Sequence, residues 1–205
     1  AKGRNGVAIL SRVPADSAVV GFGSAEFDDA GRWIEARFPA VDSDPAVTVV
    51  SLYLPSGEVG TEKQDSKERF MAALEHRLAV LASSGAHHVV CGDWNIAHTE
   101  RDLKNWKGNR TKSGFLETER AWLDALVGES GAWVDVMRAL HPDVDGPYSW
   151  WSYRGKAFDN DAGWRIDYQM ATRDVADRAK DAVVERAETY DQRWSDHAPV
   201  TVVYR

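Results

Sequence analysis

Cysteine is nearly absent: Cys91 is the only one in 205 residues. That excludes a disulfide framework and a cysteine-built zinc site, and it agrees with a reducing, cytoplasmic compartment. No apolar run approaches the ~20 residues of a membrane span, and no leader-like segment opens the chain, so a soluble protein away from membranes is expected. A basic excess is also missing, with 25 Lys+Arg against 32 Asp+Glu and a net charge of −7. A protein that coats nucleic acid with a wholly basic surface is thereby excluded. The positive charge that exists is gathered instead. Residues 101–112 hold Arg101, Lys104, Lys107, Arg110 and Lys112 against one acid, Asp102, a net of +4 that leaves −11 for the remainder.

The length suits one domain with a sizeable core, and 28% charged residues without polar low-complexity tracts exclude general disorder. Gly6–Arg12 reads as a buried strand closed by Pro14, and Trp33–Phe38 as a half-buried strand. Val47–Leu54 is apolar on both faces, as a central strand is, and stops at Pro55-Ser56-Gly57. Asp65 with Glu68 marks a helix start, Phe70, Leu74, Leu78 and Leu81 repeat at helical spacing, and Ser83-Ser84-Gly85 ends the helix. His87–Asp93 is a short buried strand, with His87 and His88 at its approach and Cys91 in its core. A second helix spans 119–127, and strands at 166–171, 183–187 and 198–204 complete an α/β or α+β domain with helices outside paired sheets.

Four clusters at strand ends or in loops could carry chemistry. In Cys91-Gly92-Asp93-Trp94-Asn95, a carboxylate and an amide at i and i+2 point the same way if extended, and together can orient a water. The same residues also suit a turn closed by Asx hydrogen bonds. In Ser195-Asp196-His197-Ala198-Pro199, neighbouring Asp and His side chains diverge, so each reaches a different partner, or the segment is a capped turn. In Gly163-Trp164-Arg165-Ile166-Asp167-Tyr168, Trp164, Ile166 and Tyr168 share one strand face. Arg165 and Asp167 share the other, where Asp167 either meets a histidine or pairs with Arg165 at the surface. Tyr53 ends a buried strand, as a core residue or as a group delivered to a cleft.

Taken in order, these clusters resemble the exonuclease III family of AP endonucleases, within the endonuclease/exonuclease/phosphatase superfamily. The resemblance runs through Gly6–Arg12, Tyr53-Leu54-Pro55, Gly92-Asp93-Trp94-Asn95, the loop from Asp102-Leu103 to Phe115, Tyr148-Ser149-Trp150-Trp151, Trp164–Tyr168 and Ser195–Pro199. It implies a four-layered α/β sandwich of two mixed sheets flanked by helices, spanning residues 1–205. It also implies hydrolysis of double-stranded DNA with Mg²⁺ (or Mn²⁺): incision 5′ to abasic sites, 3′→5′ exonuclease action and trimming of 3′ ends, by a monomer. By the same resemblance, Asp93 and Asn95 orient or activate the water, His197 contacts the scissile phosphate and is held by Asp167, and Tyr53 stabilises the transition state. Asp196 falls near the metal, with Asp93 and Asn95 as further ligands. Trp150, Trp164 and Ile166 line a slot for a baseless sugar, while Arg4, Asn5, Asn105, Lys107, Asn109 and Arg110 hold the DNA backbone.

The family also carries an Asn and a metal-binding Glu on strands that precede the segment beginning here at Gly6. This chain opens on Ala1 and lacks both. The expectation is therefore a C-terminal portion with weakened activity. The alternatives are a small-molecule phosphoesterase of the same superfamily, which the basic, Asn-bearing loop opposes, and an inactive nucleic-acid-binding fragment, which has no need of the Tyr53, Asp167 and His197 set.

Overall fold

The computed structural model describes residues 5–205. Six strands form the larger sheet: β1 (Ser17–Val20), β2 (Trp33–Phe38), β3 (Val47–Tyr53), β4 (His87–Asp93), β5 (Trp133–Asp135) and β6 (Asp167–Thr172), in the order β1-β2-β3-β4-β6-β5. Among the described residues, only β3 and β4 pair in parallel. A parallel pair needs a crossover, and α1 (Glu62–Ser83) supplies it. The second sheet holds β7 (Ala179–Val184) and β8 (Val200–Tyr204), paired antiparallel. The mixed α/β architecture with two sheets agrees with the sequence reading.

The core lies on both faces of the larger sheet. On one, Val50, Leu52, Val90, Tyr168 and Met170 pack against Phe70, Leu74, Leu78 and Leu81 of α1 and against Leu123 and Leu126 of α3 (Glu117–Val127). On the other, Val89 and Ala171 meet Val136 of α4 (Val136–Leu140), Val175 of α5 (Arg173–Ala176), and Val202 and Tyr204 of β8. β4 is thus covered on both sides, as its uninterrupted apolar run requires. Cys91 packs beside this second cluster, where burial pushes its thiol up to about 12.

Several expectations need correcting. Residues 6–12 form no strand: Val7 and Ile9 are half-buried, Leu10 is 92% exposed, and no neighbouring strand pairs with the segment. A short apolar run alone does not make a strand where the ladder has no partner. Helix α1 starts one turn before Asp65, because Thr61 caps it by accepting a hydrogen bond from the backbone N–H of Lys63. The strand expected at 183–187 is β7, at Ala179–Val184, with a bulge between Ala179 and Asp181.

The register carries the chemistry. Tyr53 is the cross-strand partner of Asp93, and Asp93 is in turn the partner of Asp167. Three candidate residues from distant parts of the sequence therefore stand in one row at the end of the sheet. One residue before Asp93, Gly92 lies at φ +142°, and a Cβ there would meet the Leu52 carbonyl oxygen at 1.9 Å. Only glycine lets β3 and β4 approach this closely just before that row.

Candidate active site

Eight of the residues singled out in the sequence line one cleft of about 330 Å3: Tyr53, Asp93, Asn95, Trp150, Trp164, Ile166, Asp196 and His197. The ninth, Asp167, stands behind His197 and accepts a hydrogen bond from its Nδ1 at 2.8 Å. Asp93 and Asn95 are not extended neighbours. Asn95 adopts the left-handed conformation at φ 51°, where its N–H donates to Asp93 Oδ1 (2.8 Å) and its Nδ2 donates to Asp93 Oδ2 (2.9 Å) and to the Leu54 carbonyl (2.8 Å). The Asx turn and the paired site residues are one structure.

His197 is locked from both sides. Its backbone N–H donates to Ser195 Oγ, and its Nε2 points toward Asp93 Oδ2 at 4.0 Å. Burial works against a charged imidazole, but the hydrogen bond and charge of Asp167, helped by Asp93 and Asp196, raise its pKa above the ordinary 6.5. Replacing Asp167 with Asn is expected to bring the His197 midpoint down, and NMR titration of its ring protons measures this. An unchanged midpoint would rule out Asp167 as the group that holds the charge.

Asp93 moves the other way. Burial and the like charge of Asp167 push its carboxyl up to about 7, against the pull of His197, Asn95 and Lys67. A carboxyl poised there can exchange a proton near neutral pH.

The candidate metal donors are all oxygens: the carboxylates of Asp93 and Asp196 and the amide oxygen of Asn95. This suits a hard divalent cation, which also relieves the crowding of Asp93 against Asp167. Among the described residues no three acidic, histidine or cysteine side chains are grouped to cage a metal by themselves. A cation at these donors would complete its shell from water and a substrate phosphate, as Mg²⁺ commonly does.

Other expectations are modified. Arg165 is neither at the surface nor paired with Asp167. It is 1% exposed and bound to Asp102 and Asp135; regular β6 begins only at Asp167, and the Arg165 backbone N–H donates instead to the Asp102 carbonyl. Asn105, Lys107, Asn109 and Arg110 do not line the cleft. They surround α2 (Trp106–Asn109) on the loop beside it, where Asn109 Nδ2 donates to the Asn105 carbonyl and Lys107 and Arg110 lie over the Trp106 ring. Arg110 also pairs with Glu100. Asn5 does not line the cleft but accepts from Arg32 Nη2, and Arg4 lies outside the described residues.

Two contributors, Ser149 and Arg32, were missed, as was a second role of Trp150. Ser149, fully buried, donates its Oγ proton to Asp167 Oδ2 (2.6 Å) and accepts from the Ile166 and Asp167 amides. Trp150 Nε1 donates to Asp196 Oδ2 (3.0 Å), so the slot wall also aims a carboxylate. Arg32 stacks 4.7 Å from the Tyr53 ring centroid, bringing a cation beside Tyr53 and Asp93. Ser149 lies within a quoted motif, but its hydroxyl contact is visible only in three dimensions. Arg32, on the strand edge, carried no motif signal.

Residues 1–197 match the Endonuclease/Exonuclease/phosphatase family. An exodeoxyribonuclease of Bacillus subtilis is 36% identical over 202 residues, which cover 98% of this chain and 75% of that protein. A DNA-(apurinic or apyrimidinic site) endonuclease of Dictyostelium discoideum is 32% identical over 208 residues, covering 98% of this chain and 53% of that protein. Among solved structures, a 3′ phosphatase from Neisseria bound to a product DNA hairpin superposes with a TM-score of 0.85 at 28% identity, over 95% of this chain and 73% of that one. An unbroken match to the family over most of the chain, in the fold its cleft requires, makes this protein a member of the Endonuclease/Exonuclease/phosphatase family, on its exodeoxyribonuclease and AP endonuclease branch.

Proposed function

We propose that this cleft hydrolyses a phosphodiester of double-stranded DNA on the 5′ side of an abasic residue, and trims 3′ ends by the same chemistry. The observation that carries the reading is the junction of two features in one cavity: the row Tyr53, Asp93 and Asp167 with His197, and a slot walled by Trp150, Trp164 and Ile166. Trp150 and Trp164 meet edge to face with centroids 6.2 Å apart, a stiff aromatic wall that admits a sugar and obstructs an attached base.

In this reading Asp93, aimed by Asn95, orients the attacking water and takes its proton. His197, kept cationic by Asp167 and Ser149, faces the phosphate oxygens. Tyr53 donates its hydroxyl to charge that grows there, with Arg32 stacked on its ring. Mg²⁺ or Mn²⁺ at Asp93, Asn95 and Asp196 would supply Lewis-acid neutralisation of the phosphate. Lys107, Arg110, Asn105, Asn109 and Asn5 hold backbone phosphates outside the cleft, supplying position rather than sequence preference. In this reading the protein acts as a monomer. Among the described residues no helix is long and apolar enough to cross a membrane.

The test is incision of a labelled duplex bearing one abasic-site analogue. Cleavage 5′ to the site is expected with Mg²⁺, lost with EDTA, and reduced about tenfold or more by Trp164→Ala as the slot wall opens. Cleavage that survives chelation, or a folded chain that leaves the duplex whole, would overturn the reading.

A further inference from the structure

Helix α1 places a lysine where its apolar face calls for a hydrophobe. Lys67 shares that face with Phe70, Met71, Leu74, Leu78 and Leu81 and is fully buried. Its Nζ lies 2.6 Å from Glu119 Oε1, and Glu119 is buried to the same degree. A buried ion pair seldom stabilises a core more than apolar side chains of the same volume, so its presence asks for another reason.

The reason lies in what the pair touches. Lys67 Nζ donates to the backbone carbonyl of Asn95 at 2.9 Å, and lies 3.5 Å from Ser113 Oγ. Glu119 Oε2 accepts from the backbone amides of Gly114 (2.7 Å) and Leu116 (3.0 Å). Ser113, Gly114 and Asn95 all line the cleft. Gly114 is itself wedged there: a Cβ on it would come within 3.1 Å of both the Asn95 carbonyl and the Trp164 ring. The pair therefore joins three segments (α1, the turn after β4 and the rim at 113–116) at one point beneath the cleft. Asn95 gains from such support, because its backbone adopts the left-handed region at φ 51°, which asparagine tolerates but does not hold by itself.

We propose that the buried Lys67–Glu119 pair is a positioning device for the active site. Through the Asn95 carbonyl it fixes the turn that aims the Asn95 amide at Asp93, and through the Gly114 amide it fixes the facing rim of the slot. The inference rests on the reading of Asn95 as part of the catalytic cleft, but its structural half stands apart from activity.

The experiment follows hydrogen exchange of the Asn95 backbone and side-chain amides by NMR on the whole chain, beside incision kinetics. In Lys67→Met/Glu119→Gln the charges are gone, while the glutamine oxygen can still accept from Gly114 and Leu116. Expected are Asn95 exchange faster by about tenfold, protection at Val50 and Val90 unchanged, and kcat lower by about tenfold or more with KM for the duplex held. Lys67→Arg, which keeps a cation and its donors, restores slow Asn95 exchange. If the double variant fails to fold, Glu119→Asp, which keeps both charges but draws the carboxylate back from Lys67 and the Gly114 amide, is expected to speed Asn95 exchange in the same direction by a smaller factor. Asn95 exchange that stays slow, or that rises only together with Val50 and Val90, would overturn the proposal and make the pair a plain core element. No incision by the unaltered chain, alongside selective loosening of Asn95 in the variant, would overturn the nuclease reading and leave the positioning inference standing.

Discussion

Replacing His197 with alanine is expected to lower kcat for incision of an abasic duplex about 10³-fold, with KM for the DNA changed far less. The imidazole is built into the cleft by Asp167 at 2.8 Å, which is itself held by Ser149, and it presents its free nitrogen to the cavity. Its charge matters most when negative charge grows on the phosphate, so its loss falls on the transition state rather than on ground-state binding. The variant carries a second signature. His197 is one of the groups that pull the Asp93 carboxyl down, so without it Asp93 holds its proton to higher pH. If Asp93 acts as the base, the acid limb of the rate profile moves upward in His197→Ala. Steady-state kinetics across pH measure both effects, and a loss confined to KM would show that His197 only binds DNA.

The second large effect is on stability. Asp102→Ala is expected to destabilise the chain by about 3–5 kcal/mol, because it breaks a buried network and strands its cations. Asp102 accepts from Arg165 Nε at 2.6 Å and from Arg138, as well as from the Thr99 amide and hydroxyl, while Arg165 is completed by Asp135. Asp102 is fully buried. For a chain of this size the melting temperature should fall by roughly 10 °C. A loss below about 1 kcal/mol would mean that the network relaxes around the gap. The pH dependence has a definite sign. Burial alone would raise the Asp102 carboxyl, yet Arg165 and Arg138 hold it well below the usual carboxylate range. A depressed folded-state value stabilises above the unfolded pKa and is lost on acidification. The difference between parent and variant should therefore be full at neutral pH and shrink below about pH 4.

Both effects show what a sequence discloses and what it hides. The unbroken apolar run at Val47–Tyr53 and the helical spacing of Phe70–Leu81 were legible because burial imposes the pattern on adjacent residues. The site residues were legible through short motifs at strand ends, where a polar residue follows directly on an apolar run. Lys67 was not, since a lysine on an apolar helix face reads as a flaw in the pattern until Glu119, 52 positions later, is seen beside it. Arg165 was misplaced for the same reason: its partners Asp102, in a short helical turn, and Asp135, at the end of β5, lie in segments that no local pattern connects. The segment at 6–12 failed in the opposite sense, its apolar run being local while strand pairing is not.

The single row formed by Tyr53, Asp93 and Asp167 across β3, β4 and β6 has one more consequence. Strands held by backbone hydrogen bonds sit about 4.8 Å apart, so the spacing of these groups is a property of the sheet, not of mobile side chains. Such a site has no hinge through which its charges could rearrange around a substrate. The reorganisation that water would undergo during the reaction is completed here when the chain folds, and any adaptation to different DNA ends is left to the rim loops. Breadth of substrate and constancy of chemistry then belong to separate parts of the molecule, free to change independently.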